Sequence, residues 1–370
     1  MAEHENSGDR GRKRTRSQGQ AELAPDRTKR AQQAHLPYRQ STARRLRHQD
    51  YTIGWICALP KEMAAGQAML DEIHDTLPSS THDINTYTLG AIGPHNIAMA
   101  CLPAGQYGTN NAAIVGANML TTFPHIERRL MVGIGGGVPD SGADVRLGDV
   151  VVGDQVIQYD LGKVLAEGRF QSTGIPTRPP PVLLTAVSKL KANHEMAPSR
   201  ISAFVDHMIK QNHPNMGHYA RPDTPEHLYR HTYDHVPSSD QSPDRCQACD
   251  KTQLKARQPR PSTAPAIHYG GIASGNKVIK DGKTRKDMSE SLNVLCFEME
   301  AAGLMEGFSC LVIRGICDYS DSHKNKDWQE YAAATAAACA KELLLVTPSS
   351  APEPETIVPK QTFGKPVLQG

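Results

Sequence analysis

Three stretches of the chain are built on apolar runs that lack strand alternation. They are "RLMVGIGGGV" (129–138), "LGDVVVGDQVIQYD" (147–160) and "SCLVIRGICDYSD" (309–321). A strand with one wet face alternates apolar and polar residues. A strand without that alternation is covered on both faces. Between these runs lie segments with helical spacing: "KEMAAGQAML" (61–70), "TNNAAIVGANMLTTF" (109–123) and "DWQEYAAATAAACAKELLLV" (327–346). Further strands are read at "YTIGWICALP", where Pro60 stops the run, and at "NTYTLGAIG", "HNIAMACLPAG" and "IHYGGIASGNKVI". Doubly covered strands interleaved with helices predict the α/β class, as a three-layer α/β/α sandwich.

The rest of the composition sets the boundaries. The net charge of +2 hides an asymmetry, because residues 1–50 carry about +6 and the remainder about −4. Residues 1–49 lack apolar periodicity and read as a disordered basic arm. In it, "RKRTR" (12–16) is either a nuclear import signal or a solvated charge run. Residues 50–347 read as one catalytic domain, with a His-, Pro- and Asp-rich surface insertion at about 193–265. Residues 348–370 read as a Pro-rich disordered tail. Five of the eight cysteines sit in apolar strand-like runs, the usage of a reducing compartment. No membrane-spanning run is visible, because Lys341 and Glu342 break the longest apolar stretch. A cytoplasmic or nuclear location is expected.

In α/β sheets, ligands collect beyond the carboxyl ends of strands. Unusual residues stand at four such ends: Glu62, the glycines around Gly135 and Gly136, the pair Glu298 and Glu300, and Asp318 four residues after Arg314. Each alone has a bland reading as a tight turn, a structural ion pair or a helix cap. Together they point to one site. The glycines do not form GxGxxG followed by an acidic residue, so a dinucleotide site is disfavoured.

At these residues the chain resembles the nucleoside phosphorylase/nucleosidase superfamily, in the form of the fungal nucleoside phosphorylase domain at the front of multidomain receptor-like proteins. The resemblance rests on "YTIGWICALPKEMAA", "CLPAGQYGTNNAA", "LMVGIGGGVP", "RLGDVVVG", "HYGGIASGNKVIKDG", "LCFEMEAAGLM" and "IRGICDYSDSHKNKDWQEYAAATAAA". It implies the phosphorylase/hydrolase-like fold with a central mixed sheet. Within the superfamily, "FEMEA" and "RGICD" are similar to the corresponding segments of methylthioadenosine/S-adenosylhomocysteine nucleosidases. By that resemblance Glu300 holds the ribose hydroxyls with Met299 beside it, and Asp318 meets purine N7. Glu62 takes the place of the first-strand carboxylate that activates water. Val278 and the Ile279 backbone lie against the base. Val278 stands where those enzymes have a stacking aromatic. Cys317 replaces a small hydroxyl residue, which implies one fewer hydrogen bond orienting Asp318.

The implied reaction is hydrolysis of a purine nucleoside without an organic cofactor. A neutral purine leaves poorly until N7 is protonated, and general-acid help is worth about 10²–10⁴ in rate. The sugar then resembles an oxocarbenium ion, which an ionised Glu300 stabilises. Hexameric phosphorylases have an arginine where Glu62 falls; a carboxylate there repels phosphate. Nearby, Thr109, also the expected cap of its helix, and Asn110 offer no cation. Arg314 is expected to pair with Glu62, and Glu298 to play a supporting role, pairing with a base. His323 either touches the 5′-hydroxyl or caps the last helix.

Four other readings stay open. They are a phosphate-dependent phosphorylase, an AMP or ATP nucleosidase using the run from Lys277 to Lys286, a non-catalytic nucleotide-sensing module, and a nucleic-acid-binding arm, the least favoured. The expected partner is a small-molecule purine nucleoside or nucleotide, with a homo-oligomer expected from relatives. No metal is assigned to catalysis. His231, His235, Cys246 and Cys249 have zinc-ligand spacing, set against their being unliganded loop residues.

Overall fold

A computed structural model describes residues 46–349, apart from 79, 140–141, 169, 212–213 and 238–245. Of the basic arm read at 1–49, residues up to 45 lie outside the described residues, whereas 46–49 are ordered: Leu46 packs against the core and His48 opens a short 3-10 helix (His48–Asp50). Of the tail read at 348–370, residues from 350 lie outside the described residues. Eleven strands and seven α-helices follow in chain order: β1 (Ile53–Cys57), α1 (Pro60–Ala68), β2 (Glu72–Ile73), β3 (Tyr87–Ile92), β4 (His95–Cys101), α2 (Thr109–Thr122), β5 (Arg128–Gly137), β6 (Val150–Gln158), β7 (Gly162–Val164), β8 (Phe170–Ser172), α3 (Pro181–Met196), α4 (Ile201–Gln211), β9 (Ile267–Ser274), α5 (Gly282–Leu292), β10 (Val294–Glu298), α6 (Ala301–Met305), β11 (Leu311–Asp318) and α7 (Gln329–Val346).

Nine strands form one mixed sheet in the order β10-β9-β6-β11-β5-β1-β4-β3-β2, and β7 and β8 form a separate hairpin. β4, β1, β5 and β11 run parallel to one another, while β6 runs antiparallel to β11. Both faces are covered, as the missing alternation predicted. Within β5, Leu130 and Val132 enter one core and Met131 the other; in β11, Leu311 and Ile313 face one way and Val312 the other. Successive strand side chains point to opposite faces, so each strand feeds two cores. α1, α3, α4 and α7 close the first core, and α2 and α6 close the second. The three-layer sandwich with a mixed central sheet is the observed fold.

Two departures from the sequence reading matter for the site. First, β10 also pairs with β5, antiparallel, through Cys296 with Gly137 and Phe297 with Gly136. That contact closes β10, β9, β6, β11 and β5 into a ring. The end of β10 therefore reaches the glycines of β5 from the opposite direction, although its carboxyl end does not share their edge by strand sense. Second, the stretch read as a surface insertion contributes α4. Its Ile201, Val205 and Met208 are buried against the α7 side of the core. Glu342 of α7 fixes this corner, accepting from Ser199 Oγ and Arg200 N at 2.9 Å each. Thr109 is the first residue of α2, not its cap; the cap position is Gly108.

Among the described residues no helix is long and apolar enough to cross a membrane. α7 lies unusually close to the sheet. Seven of its alanines are buried, and a Cβ on Gly315 of β11 would overlap the Ala332 carbonyl oxygen. Backbone cannot yield as a side-chain tip can. Gly315→Ala is therefore expected to cost at least the 1–3 kcal/mol of ordinary overpacking, about 1–3 kcal/mol by urea denaturation. An unchanged midpoint would show that α7 does not pack this closely on β11.

Candidate active site

Glu62, Glu300 and Asp318 line one cavity of about 230 Å³. Gly135, Gly136, Val278, Ile279, Glu298 and Met299 line it too. These nine sequence-predicted residues are thus brought together from β1–α1, β5, β9–α5, β10–α6 and β11. Three others are not at the wall. Arg314 lies behind it, fully buried. Thr109 is one step removed, where its N–H and Oγ1 meet Asn276 Oδ1 at 3.1 and 3.2 Å. His323 is turned away; its ring stacks on Tyr229 at 4.1 Å between centroids and borders a different cavity. The chain reverses between Asp318 and His323, so adjacency in sequence is not adjacency at the site.

Glu62 stands at the third position of α1, just past Pro60. Its Oε2 accepts from Ala58 N at 2.8 Å and Leu59 N at 2.9 Å, and its Oε1 accepts from Ile134 N at 2.8 Å. A carboxylate has about four lone-pair sites, so about one remains. Burial pushes Glu62 above the ordinary glutamate value; Arg314 and the three backbone donors oppose the shift without cancelling it. Gly133 leaves room for this arrangement. A Cβ there would stand 2.5 Å from Glu62 Oε1 and 2.6 Å from Arg314 Nη1.

The two carboxylates of "FEME" divide the work. Glu298 spends its acceptor capacity on the protein. It takes the N–H of Glu300 at 3.1 Å and of Ala301 at 3.1 Å, capping the short α6, and it makes the short ion pair with Arg314 Nη2. Glu300 makes only long contacts, to Met299 N at 3.4 Å and Arg314 Nη2 at 3.5 Å. It therefore keeps capacity for a ligand. Burial, and then the neighbouring Glu298 and Glu62, push Glu300 up to about 7 against the pull of Arg314. The expected Arg314–Glu62 pair is replaced by Arg314–Glu298. The strand ends at Glu298, and the turn into α6 swings both carboxylates toward the same guanidinium.

Asp318 is the last residue of β11. Ser320 N donates to its Oδ1 at 2.9 Å, the Cys317 thiol to its Oδ2 at 3.1 Å, and Lys324 Nζ lies 2.9 Å from the same oxygen. The hydrogen bond expected to be missing with Cys317 is thus present. Burial and the Asp318 charge push that thiol far above its ordinary value, so it keeps its proton. Burial alone would lower Lys324, but Asp318 outweighs it and holds the ammonium above the usual lysine value. Lys324 was not foreseen. A lysine six residues beyond a strand-end aspartate carries no periodic signal; only the reversal of the loop reveals the pair. Phe297, buried, and Tyr107, half exposed, add aromatic lining that Val278 does not supply.

Comparison with known proteins gives the family. The family model of the phosphorylase superfamily covers residues 52–346. The chain belongs to that superfamily. It is 44% identical over 317 residues to a nucleotide-binding leucine-rich repeat (NLR)-like protein of Hyaloscypha variabilis, covering 84% of this chain and 31% of that one. It is 24% identical to the ATP nucleosidase Cap17 of Escherichia coli, covering 76% of this chain and 48% of that one. The chain thus spans less than half the length of either relative. Among solved structures, the 5′-methylthioadenosine/S-adenosylhomocysteine nucleosidase of Neisseria meningitidis, in complex with methylthio-immucillin-A, matches with a TM-score of 0.51 at 15% identity. The match covers 79% of this chain and 98% of that one, and it shows a shared fold.

In the zinc-spaced segment, His235, Cys246 and Cys249 come together and His231 does not join them. Of the basic run after β9, only Lys277 reaches the cavity; Arg285 is buried on Tyr319 O at 2.7 Å.

Arg314 is the common counter-charge of the carboxylates. Arg314→Met leaves Glu298 buried and unpaired, and should cost about 3–5 kcal/mol in urea denaturation. Adding Glu298→Met to that variant should recover much of the loss. A double variant no more stable than the single one would show that the ion pair is not the organising contact.

Proposed function

We propose that this domain is a purine nucleoside N-glycosidase that hydrolyses the bond between base and ribose. The observation that carries the reading is that three carboxylates from separate elements, Glu62, Glu300 and Asp318, face one cavity, with no guanidinium at its wall among the described residues. In this reading the ribose diol donates to Glu300, whose capacity the protein leaves open. Asp318, charged and paired with Lys324 before substrate binds, first takes a proton from solvent and then passes it to N7 of the departing base, with Lys324 and Ser320 fixing its oxygens. Water attacks C1′ of the sugar as the glycosidic bond breaks, and Glu62 accepts the proton that the water loses. Glu62 then gives that proton back to solvent. The negative charges on the sugar side stabilise the cationic transition state in a largely buried pocket.

The alternative of phosphorolysis requires a cationic seat for a dianion. Among the described residues the cavity offers Lys277 at its rim and Lys324, and Lys324 is engaged by Asp318. Glu62 adds repulsion on the attack side. Lys277 does favour a second reading, in which a nucleotide's 5′-phosphates meet it. The sequence similarity to an ATP nucleosidase supports the same reading.

The deciding assay is chromatography of adenosine, inosine, guanosine, AMP and ATP after incubation with the protein, with and without inorganic phosphate. Free base released equally in both conditions is expected. Ribose 1-phosphate formed only with phosphate would replace hydrolysis by phosphorolysis. Asp318→Asn is expected to lower turnover by about 10²–10⁴, with Glu300→Gln also severe, while circular dichroism stays unchanged. Turnover like that of the parent in either variant would remove that residue from its role.

A pH dependence follows from Glu300. Its clamp on the diol needs the ionised form, and its folded value is pushed up to about 7. The ionised fraction falls as pH drops through that value, so kcat/KM should decline on the acid side with an apparent midpoint near 7. A profile flat from about pH 5 to about pH 8 would contradict the clamp.

A further inference from the structure

Among the described residues, a further cluster of metal-ligating side chains lies away from the carboxylate cavity, in the segment between α4 and β9. His235 Nδ1 is 3.2 Å from Cys249 Sγ and 3.6 Å from Cys246 Sγ. The three candidate donor atoms lie within 4.8 Å of one another. Both cysteines are buried, in a small apolar cluster with Tyr229. In a tetrahedral zinc site, bonds of about 2.3 Å to sulfur and about 2.0–2.1 Å to nitrogen put those two donors about 3.5–3.6 Å apart. The separations here are close to that spacing. Cys246 adopts φ 57°, and Cys249 N donates back to Cys246 O at 3.3 Å. This turn brings two sulfurs to one side of a C-x₂-C loop. Val236 N also donates to Cys249 Sγ at 3.4 Å, the kind of contact that supports a thiolate.

A second observation is independent of the cysteines. The His323 side chain is only 7% exposed; its Nε2 has no hydrogen-bond partner, and its Nδ1 meets only the Asp321 carboxylate. A buried ring nitrogen without a partner carries a desolvation cost that calls for an explanation. Its ring stands perpendicular to that of His235 with centroids 5.6 Å apart, and it borders the same cavity as Cys246. Its Nδ1 lies 3.6 Å from Asp321 Oδ1. A carboxylate on one ring nitrogen is the usual outer partner of a histidine that gives its other nitrogen to a metal.

We propose that His235, Cys246 and Cys249 bind a structural zinc ion; His323 lies outside the group of donors within 4.8 Å of one another, and a small shift of its loop would bring Nε2 in as the fourth ligand. Two thiolates and two imidazoles form the closed set that zinc takes in structural sites. Its effect here is mechanical. His323 belongs to the loop that follows Asp318 and carries Ser320 and Lys324. The ion joins that loop to the segment between α4 and β9, where His235 N already donates to Ser322 Oγ at 2.9 Å.

The test reads metal, and so is independent of whether the nucleosidase reading holds. The full chain, purified under reducing conditions without chelator, is analysed by elemental mass spectrometry. About one zinc per chain is expected, falling toward zero in Cys249→Ser and His235→Ala. As a check that does not depend on variant folding, chelated protein is titrated with cobalt. Tetrahedral d–d bands with thiolate-to-metal charge transfer are expected. His323→Ala should keep the charge transfer and change the d–d envelope. No zinc in the purified protein together with no cobalt uptake would overturn the site, as would a Cys246–Cys249 disulfide in metal-free protein. An unaltered cobalt spectrum in His323→Ala would strike that residue from the ligand set.

Discussion

One guanidinium organises the centre of this molecule. Arg314 is completely buried on β11 and faces Glu298, Glu300 and Glu62. Such a group cannot be accommodated in an apolar interior alone; it requires counter-charges with good geometry. Those counter-charges come from elements distant in sequence, β10–α6 and α1. The glycines of β5 let them approach, since any side chain at Gly133 would occupy the space between Glu62 and Arg314. The bare β5 backbone, the ring-closing pairing of β10 and the carboxylate cluster are therefore one solution to one electrostatic problem. The inequality between Glu298 and Glu300 follows from it. One carboxylate satisfies the arginine and the α6 cap, and the other is left with capacity to spare.

The sequence disclosed the layers because uniformly apolar strands admit few other architectures. Leu130, Met131 and Val132 alternate between two cores, and only a sheet with helices on both sides accepts that pattern. α4 is hidden in the sequence by the polar, histidine- and proline-rich residues that follow it. The helix itself buries Ile201, Val205 and Met208 and packs Phe204 and Ile209 against the core, and Glu342, far along the chain, holds its start in place. Thr109 was misplaced by a single residue, which is the ordinary uncertainty of a helix boundary.

The carboxylates of the cavity were legible because acid is conspicuous in apolar runs. The contacts that differentiate them were not. Whether Glu298 or Glu300 pairs with Arg314 depends on where β10 stops and how the chain turns into α6. Lys324 and His323 sit one residue apart in sequence but serve different cavities, because the loop after Asp318 folds back on itself. Their separation is a property of backbone path. No spacing rule would have assigned Lys324 to Asp318, or left His323 beside a pair of cysteines more than seventy residues upstream.

The way Glu62 is held bears on how readily this scaffold changes its chemistry. Its oxygens are gripped by main-chain amides of the β1–α1 turn and of β5. Amides in that arrangement present three hydrogens to whatever occupies the position, and no mutation of a side chain withdraws them. A cationic replacement would point its own protons at theirs, with a second guanidinium close by. The preference for an anionic occupant is thus written into the trace of two turns. An ancestor that exchanged one attacking species for another would have had to redraw that trace, not merely substitute a residue on it.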